Sequence, residues 1–414
     1  MKVYLRTYGC RANQYDTEAV RAMLLASGAE IADEVSEADY AIFNSCTVTA
    51  AAEADLRADV RAASRVNPKL RSMVIGCAAG IPDRDERTAP LATLPAVDAV
   101  ISGSDIHAVA SALGLDSTLI QSAAVQTGAR ALLRVQDGCD EHCTFCATTI
   151  ARGNNRSRSI DSIVVEAREL AATHPEIVIT GIHIGTYGRD IGETLSSLVA
   201  TLIERVPFVR FRLSSVEATE VDDRLGEMLV CESSRLAPHL HAPLQSGSDP
   251  LLRRMGRHWY SADSYQRAVE RFMGSRPFAL SADVITGFPT ETEEDHRATM
   301  RLIECLPFTS LHVFPYSPRP GTSALKLKPR VAEDTARRRA RELRLLADTK
   351  ATEYRASRIA QDCDVVVTEK GKGLSEDYLS VDVADSIPRR SRFRATLRKV
   401  NGRLIAFSNS QQDD

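Results

Sequence analysis

Gly138-CDEHCTFC-Ala147 sets three cysteines, Cys139, Cys143 and Cys146, within eight residues. A structural zinc site closes a tetrahedron with four protein ligands, and an ordinary iron–sulfur cluster takes four thiolates. Three leaves one position open. The residues leading into this stretch, ALLRVQDG (131–138), read as a β-strand stopped by glycine, so the cysteines follow a strand's carboxyl end. They open a series of strand candidates: ALLRVQDG, EIVITG (176–181), VRFRLSS (209–215), HLHAPLQSG (239–247), ALSADVITG (279–287) and SLHVFPYSP (310–318). Each closes on Gly, Ser or Pro, with helical segments such as SYQRAVERFM (264–273) between them. Six β/α units predict a partial barrel or a strongly curved parallel sheet, with the chemistry gathered at the strands' carboxyl ends.

Upstream, residues 1–125 alternate strand and helix in their own right. KVYLRTYG is followed by DTEAVRAMLLASG, DYAIFNS by TAAAEADLRADVRAASR, and SMVIG by a Pro- and Asp-rich loop. VDAVISG then leads into SDIHAVASALG, with Ser102 and Ser104 as candidate helix caps. This pattern predicts a parallel sheet with covering helices. Cys10, Cys46 and Cys77 each stand just after one of the first three strands, with 35 and 30 residues between them. Parallel strands bring their carboxyl ends to one sheet edge, where such folds bind ligands. The competing reading is three unrelated buried cysteines, since Cys is among the most buried residue types.

The length of 414 residues exceeds one ordinary core and predicts two or three domains. With 43% apolar and 26% charged residues, the composition is that of a soluble globular protein. The opening MKVYLRTYGC lacks the apolar core of a signal peptide, and no run of about 18 apolar residues predicts a membrane span. Nine cysteines without a secretion signal point to reduced thiols or metal ligands, and hence to a cytoplasmic setting. The net charge of −3 does not advertise a nucleic-acid binder. Its distribution is more telling. Arg389, Arg390, Arg392, Arg394, Arg398, Lys399 and Arg403 fall between Ser386 and Arg403 with no acid among them. They alternate with Phe393, Ala395 and Leu397, as on a strand with one buried and one basic face. Val331 to Arg358 reads as a long Arg-rich helix, and CDVVVTEKG, YLSVDVAD, RFRATLRKV and RLIAFS as the strands of a small all-β module. The expected domains are therefore residues 1–125, 126–355 and 356–414.

Cys139-x3-Cys143-x2-Cys146 after a barrel-opening strand resembles the signature of radical S-adenosylmethionine enzymes. The resemblance implies that the three thiolates hold a [4Fe–4S] cluster whose fourth iron binds S-adenosylmethionine, the source of a 5′-deoxyadenosyl radical. TYGCRANQYDTE, FNSCTV, VIGC, VQDGCDEHCTFC, ITGIHIGTYG, LQSGSD and VITGFPTETEEDH narrow it to the methylthiotransferases. That family implies a second [4Fe–4S] cluster on Cys10, Cys46 and Cys77, and a C-terminal module resembling the RNA-binding TRAM domain, with Arg389, Arg390, Arg392, Arg394, Arg398 and Lys399 facing RNA. TYGCRANQYDTE, LHVFPYSPRPGTSA and the compact C-terminal module are most similar to the branch acting on threonylcarbamoyladenosine at position 37 of tRNA. The implied partners are the tRNA anticodon stem-loop and an electron-donor protein. For S-adenosylmethionine the candidate contacts are Gly181 and Ile182 at the methionyl part, Ser215 and Glu217 at the ribose, and Gln245 and Ser246 at the sulfonium. Asp283 or the Ile285-x-Gly287 turn would border the adenine. Phe145 is expected to pack beside the cluster, and Cys231, Cys305 and Cys363 to be packing residues.

Some positions depart from the family pattern: ATTIARG follows Cys146 where relatives usually show an Ile-Pro step, GCAAG replaces a Gln-ending version, and Thr290 stands where Gly is frequent. The alternatives within enzymes are the isopentenyladenosine and ribosomal-protein branches. From other classes they are a non-catalytic iron–sulfur RNA-binding redox sensor and a zinc-bound RNA module.

Overall fold

The computed structural model describes the chain except residues 48, 82–89, 103–104, 117–124, 232–234, 273–276 and 409–414. Two compact units divide it. One comprises Met1–Thr127, Gln136–Arg156 and Ser317–Lys326; the other comprises Gly128–Val135, Ser157–Tyr316 and Leu327–Asp414. The cysteine-rich loop thus belongs to the first unit.

In the first unit, strands β1 (Lys2–Thr7), β2 (Glu30–Ala32), β3 (Tyr40–Ser45), β4 (Arg71–Gly76) and β5 (Val97–Ser102) form a parallel sheet in the order β2-β1-β3-β4-β5. Every residue of YAIFNS in β3 is buried, as for a central strand covered on both faces. Helices α1 (Arg11–Ala26) and α3 (Ile106–Ala112) supply Val20, Met23, Leu24 and Val109 to one face's core. Leu56 and Val60 of α2 (Ala50–Val66) join the core of the other. Sequence patterning missed β2, whose three residues are too few to alternate. Of the expected caps of α3, Ser104 lies outside the described residues; the observed cap is Asp105, whose carboxylate accepts from Ala108 N at 3.0 Å. The short helix α4 (Thr148–Arg152) follows the cysteine loop.

The second unit contains all six expected strands: β6 (Ala131–Arg134), β9 (Glu176–Thr180), β10 (Arg210–Leu213), β11 (His239–His241), β12 (Ala279–Thr286) and β13 (Phe308–Pro315). (Two-residue strands β7, Gln136–Asp137, and β8, Arg156–Ser157, fall between β6 and β9 in sequence.) The six pair in parallel as β6-β9-β10 and β11-β12-β13, and bridges Phe211–Leu236 and Ser215–His241 join the two sheets. The result is a partial (β/α)6 barrel. Its helices are α5 (Ile160–Ala171), α6 (Leu195–Arg205), α7 (Asp223–Val230), α8 (Asp249–Arg254), α9 (Ala262–Glu270) and α10 (Glu293–Cys305). Polar side chains start most of them, with full capping boxes at Thr194, Ser261 and Thr292. The long helix expected at 331–358 is α11 (Glu333–Ser357).

Strands β14 (Asp362–Glu369), β15 (Lys372–Ser375), β16 (Ser380–Asp382), β17 (Arg392–Val400) and β18 (Arg403–Ser408) close into a small barrel, ordered β14-β15-β16-β18-β17. Ala395 and Leu397 of β17 are buried in its core and Phe393 packs against it, as the alternation predicted. Strand β15 is an addition to the expected set. A buried charge cluster ties this barrel to the larger one. Glu176 on β9 accepts from Arg210 Nε at 2.6 Å and Arg212 Nε at 2.8 Å. The guanidiniums continue to the carbonyl oxygens of Asp364 (2.6 Å) and Glu376 (3.0 Å). Among the described residues no helix is long and apolar enough to cross a membrane.

Candidate cluster and cofactor site

Cys10, Cys46 and Cys77 stand directly beyond β1, β3 and β4, three neighbouring strands. Cys46 and Cys77 are buried and Cys10 is exposed. One amide oxygen gathers two of them: Asn13 Oδ1 lies 3.7 Å from Cys10 Sγ and 3.6 Å from Cys77 Sγ. Asn13 is itself buried, its amide nitrogen donating to the carbonyls of Tyr8 and Ser45. Gly9, at φ +90°, passes against Cys46; a Cβ there would collide with the Cys46 side chain. The sequence Gly9-Cys10 therefore needs its glycine for two reasons, the left-handed backbone and the room it leaves beside a cysteine. Burial pushes the Cys77 thiol up to about 12, with the Arg152 guanidinium opposing. Burial thus disfavours a bare thiolate at Cys77, and a coordinating metal would deprotonate it outright; three thiols at the ends of neighbouring strands are a donor set that could hold an iron–sulfur group.

In the second trio the chain makes a tight turn, with Cys146 N–H donating to Cys143 O at 3.1 Å and Cys139 N–H to Gly153 O at 3.0 Å. Backbone N–H groups point at two of the sulfurs: Glu141 N to Cys139 Sγ and Thr148 N to Cys146 Sγ, each at 3.4 Å. Such bonds stabilise thiolates in iron–sulfur ligation. Gly138, at φ +75°, has no room for a Cβ against Asn154 O. The segment Ser317–Lys326 braces the loop, with Ala324 N–H donating to Thr144 O at 2.8 Å and Arg319 bonding Glu53 of α2 at 2.7 Å. Phe145 is half-buried and His142 exposed. Among the described residues, the side-chain sets close enough to grip a single ion are His241/Asp283/His312 and His183/Glu217/Glu220.

The cofactor candidates lie in the second unit, beyond the carboxyl ends of its strands except for Asp283, which stands within β12. Gly181 and Ile182 follow β9 and are partly exposed; Ser215, exposed, follows β10 and bridges to His241. On β12 Asp283, Ile285 and then Gly287 are partly exposed while Ala282, Val284 and Thr286 are buried, so one face of the strand is open. Gln245, at φ +60°, pairs through its backbone with Asp283 and Ile285. Asp283 contacts His241 at 3.3 Å and His312 at 3.1 Å. Burial alone would raise its carboxyl; hydrogen bonds from the two histidines outweigh that and hold it well below the usual range. Two candidates sit in the framework. Glu217 is buried with both carboxylate oxygens engaged, by Arg257 and by Trp259 Nε1. Ser246 is buried too, with Thr299 Oγ1 3.2 Å away, and accepts from Ser248 N.

The basic stretch divides as well. Arg392 pairs with Asp364 at 2.7 Å, and Arg390 donates to Gly128 O at 2.9 Å. Arg389, Arg394, Arg398 and Lys399 are exposed, Arg398 lying over the Phe407 ring. Of the three remaining cysteines, Cys363 is a packing residue of the small barrel, but Cys231 and Cys305 are exposed, against expectation, at the carboxyl ends of α7 and α10, where their positions turn to solvent. Sequence reading missed Asn13, Arg152, His241 and His312. His312 is the register partner of Asp283 on the neighbouring strand, whereas His241 is that of Ser281 and reaches Asp283 by its side chain; none of the four had a local signal in the sequence.

Residues 2–102 match the family described as Uncharacterized protein family UPF0004, and residues 133–303 match the Radical SAM superfamily. The chain is 33% identical over 406 residues to threonylcarbamoyladenosine tRNA methylthiotransferase MtaB of Aquifex aeolicus (strain VF5), covering 92% of this chain and 96% of that protein. It belongs to the radical S-adenosylmethionine methylthiotransferase family. The MtaB protein of Bacillus subtilis (strain 168) is 33% identical, covering 93% of this chain and 88% of its own length. A tRNA-2-methylthio-N(6)-dimethylallyladenosine synthase of Syntrophomonas wolfei is 31% identical over 99% of this chain and 92% of its own. Among solved structures, the radical S-adenosylmethionine methyltransferase TsrM of Kitasatospora setae aligns with a TM-score of 0.58 at 15% identity, over 78% of this chain and 76% of that one, a likeness of fold. Membership implies S-adenosylmethionine and a [4Fe–4S] cluster, which the half-exposed Cys139/Cys143/Cys146 loop fits.

Proposed function

We propose that this protein is a tRNA methylthiotransferase that inserts a methylthio group at C2 of N6-threonylcarbamoyladenosine at position 37. The observation that carries the substrate is near-full-length similarity, at 32–33% identity, to MtaB proteins of four organisms. Cys139, Cys143 and Cys146 would hold a [4Fe–4S] cluster, which would supply the electron for reductive cleavage of S-adenosylmethionine, and Cys10, Cys46 and Cys77 would hold a second cluster, which would supply the sulfur to be transferred.

The chain's own residues do the rest. The N–H groups of Glu141 and Thr148 steady the radical-loop sulfurs. Asn13 and Gly9 shape the N-terminal trio. Gly181, Ser215 and Gln245, beyond strand ends, and Asp283, on the open face of β12, offer a rim for S-adenosylmethionine, with the buried Glu217 and Ser246 as support. The tRNA anticodon stem-loop is read in part by the exposed Arg389, Arg394, Arg398 and Lys399, and a separate protein donates electrons. The working domains are residues 1–125, 126–355 and 356–414.

Mass spectrometry of digested tRNA from cells with and without the gene tests the substrate. Loss of the 2-methylthio-threonylcarbamoyl nucleoside is expected; loss of the 2-methylthio-isopentenyl nucleoside instead would assign the chain to the other branch. Changing Cys10, Cys46 and Cys77 together to Ala should leave reductive formation of 5′-deoxyadenosine and abolish methylthiolation. Normal product yield from that variant would end the two-cluster reading.

A further inference from the structure

Arg152 ends the short helix that follows the radical loop, yet its side chain reaches the other cysteine trio. The guanidinium is fully buried. Its Nε–H donates to Cys77 Sγ at 3.1 Å, one Nη to Asn13 Oδ1 at 2.9 Å and Asp16 Oδ2 at 2.6 Å, and the other Nη to Asp137 Oδ1 at 3.0 Å. Asn13 Oδ1 is the same oxygen that Cys10 and Cys77 approach. One cation, one amide and two ligand sulfurs therefore form a single polar cluster, buried except at Cys10.

A purely structural role would be complete with the two carboxylates. A buried guanidinium is costly unless paired, and Asp16 and Asp137 pair it. The third edge of the fork, turned on a sulfur, has no part in that pairing. Hydrogen bonds to ligand sulfurs and nearby charge set the potentials of iron–sulfur sites, and groups one step behind the ligands orient them. One-electron reduction adds a negative charge to such a site, so a fixed cation with an N–H aimed at a ligand sulfur stabilises the reduced form more than the oxidised one.

We infer that Arg152 is a positioning residue for the iron–sulfur site on Cys10, Cys46 and Cys77, raising its reduction potential through the Cys77 contact and fixing the ligand loop through Asn13 and Asp16. The inference rests on the two-cluster reading above. It also gives the segment carrying the radical loop a direct hold on the trio that keeps the sulfur.

The test uses the full-length Cys139→Ala/Cys143→Ala/Cys146→Ala protein, reconstituted anaerobically so that the N-terminal trio alone can take a cluster. Iron in this parent is measured first; about four irons per chain are expected. Their absence removes the two-cluster reading, and this inference with it, before Arg152 is touched. Arg152→Gln and Arg152→Lys are then compared with the parent by redox titration followed by electron paramagnetic resonance. At the parent's midpoint, Arg152→Gln should show about a tenfold lower ratio of reduced to oxidised cluster, a shift of about 59 mV to lower potential. Arg152→Lys keeps the charge without the planar fork and should fall between. A ratio for Arg152→Gln within about twofold of the parent's overturns the role. Where Arg152→Gln does not retain iron, Arg152→Lys decides: a lowered ratio supports the role and an unchanged one overturns it.

Discussion

Glu176→Gln probes how the small C-terminal barrel is held to the radical barrel. Glu176 is fully buried, as is the Arg212 side chain, and that of Arg210 is nearly so. The carboxylate accepts from both guanidiniums, and Arg130 adds a weaker contact at 3.3 Å. Burial alone would push the Glu176 carboxyl up; the charges of Arg210, Arg212 and Arg130 outweigh it and hold the group well below the usual range. A Gln amide is isosteric, but it removes the anion and presents two N–H donors to other donors. Asp364, 3.2 Å from Arg210, remains as partial compensation. Breaking a buried pair by deleting one partner costs about 3–5 kcal/mol, so about 3 kcal/mol is expected here. At the size of this unit each kcal/mol moves the midpoint about 2 °C, giving a fall of about 6 °C.

The assay is thermal and urea unfolding of the cluster-free protein, with limited proteolysis to show whether the C-terminal barrel is released first. Glu176→Gln combined with Arg212→Met should recover much of the loss, because the second change removes the cation left unpaired. The pH dependence follows from the depressed folded-state value. The stabilisation is fully present above the unfolded carboxyl's pKa of about 4.3 and is lost as pH falls through the folded value. The gap between wild type and variant should hold constant from neutral pH to about 5 and close in stronger acid. A loss under about 1 kcal/mol at neutral pH would refute the reasoning, since it would mean that the two buried arginines do not depend on this anion.

The exposed basic face gives a second expectation: Arg394, Arg398 and Lys399 changed together to Ala should lower the salt slope of tRNA binding by about 2 units, at roughly 0.7–0.9 per lost phosphate contact. Arg390→Ala and Arg392→Ala, whose guanidiniums are held by Gly128 O and Asp364, should instead reduce stability with little change in slope. Thr290 holds φ +72° and a buried hydroxyl with no hydrogen-bond partner among the described residues, so Thr290→Gly should raise stability by about 0.5–1 kcal/mol, the relief of left-handed strain exceeding glycine's entropy cost; a measured destabilisation would contradict this.

Much of this was readable in the sequence because strands of parallel folds announce themselves by apolar runs closed with small residues. All six barrel strands and the strands preceding Cys10, Cys46 and Cys77 lie where those runs predicted. Charged side chains resist the same reading. The seven basic residues from Arg389 to Arg403 look alike in sequence, but the fold brings Asp364 against Arg392 and the Gly128 carbonyl against Arg390, and no local pattern marks partners so far apart in the chain. Arg152 is the sharper case. Its partners Asn13, Asp16 and Cys77 lie 139, 136 and 75 residues away, and they become neighbours through packing that patterning does not encode. Thr290 was visible as a departure from glycine, and its positive φ supplies the reason that glycine is frequent there.

The topology of the N-terminal sheet explains why three cysteines so widely spaced in sequence stand at one edge of it. Strand β2, which patterning missed, is the second strand in sequence. Placed between β1 and β3 in the sheet, it would have set Cys10 a further strand spacing of about 4.8 Å from Cys46. The order β2-β1-β3-β4-β5 puts it on the outer edge instead, leaving β1, β3 and β4 adjacent, with their carboxyl ends side by side. The reversal of strand order between β1 and β3 opens the crevice where doubly wound sheets bind ligands. Cys10 and Cys46 flank that crevice and Cys77 is one strand further along. Asn13, in the first turn of α1, meets the Cys10 and Cys77 sulfurs on a single amide oxygen, and Arg152 binds that oxygen too. The missed strand is thus the element whose placement at the edge lets the three cysteines converge.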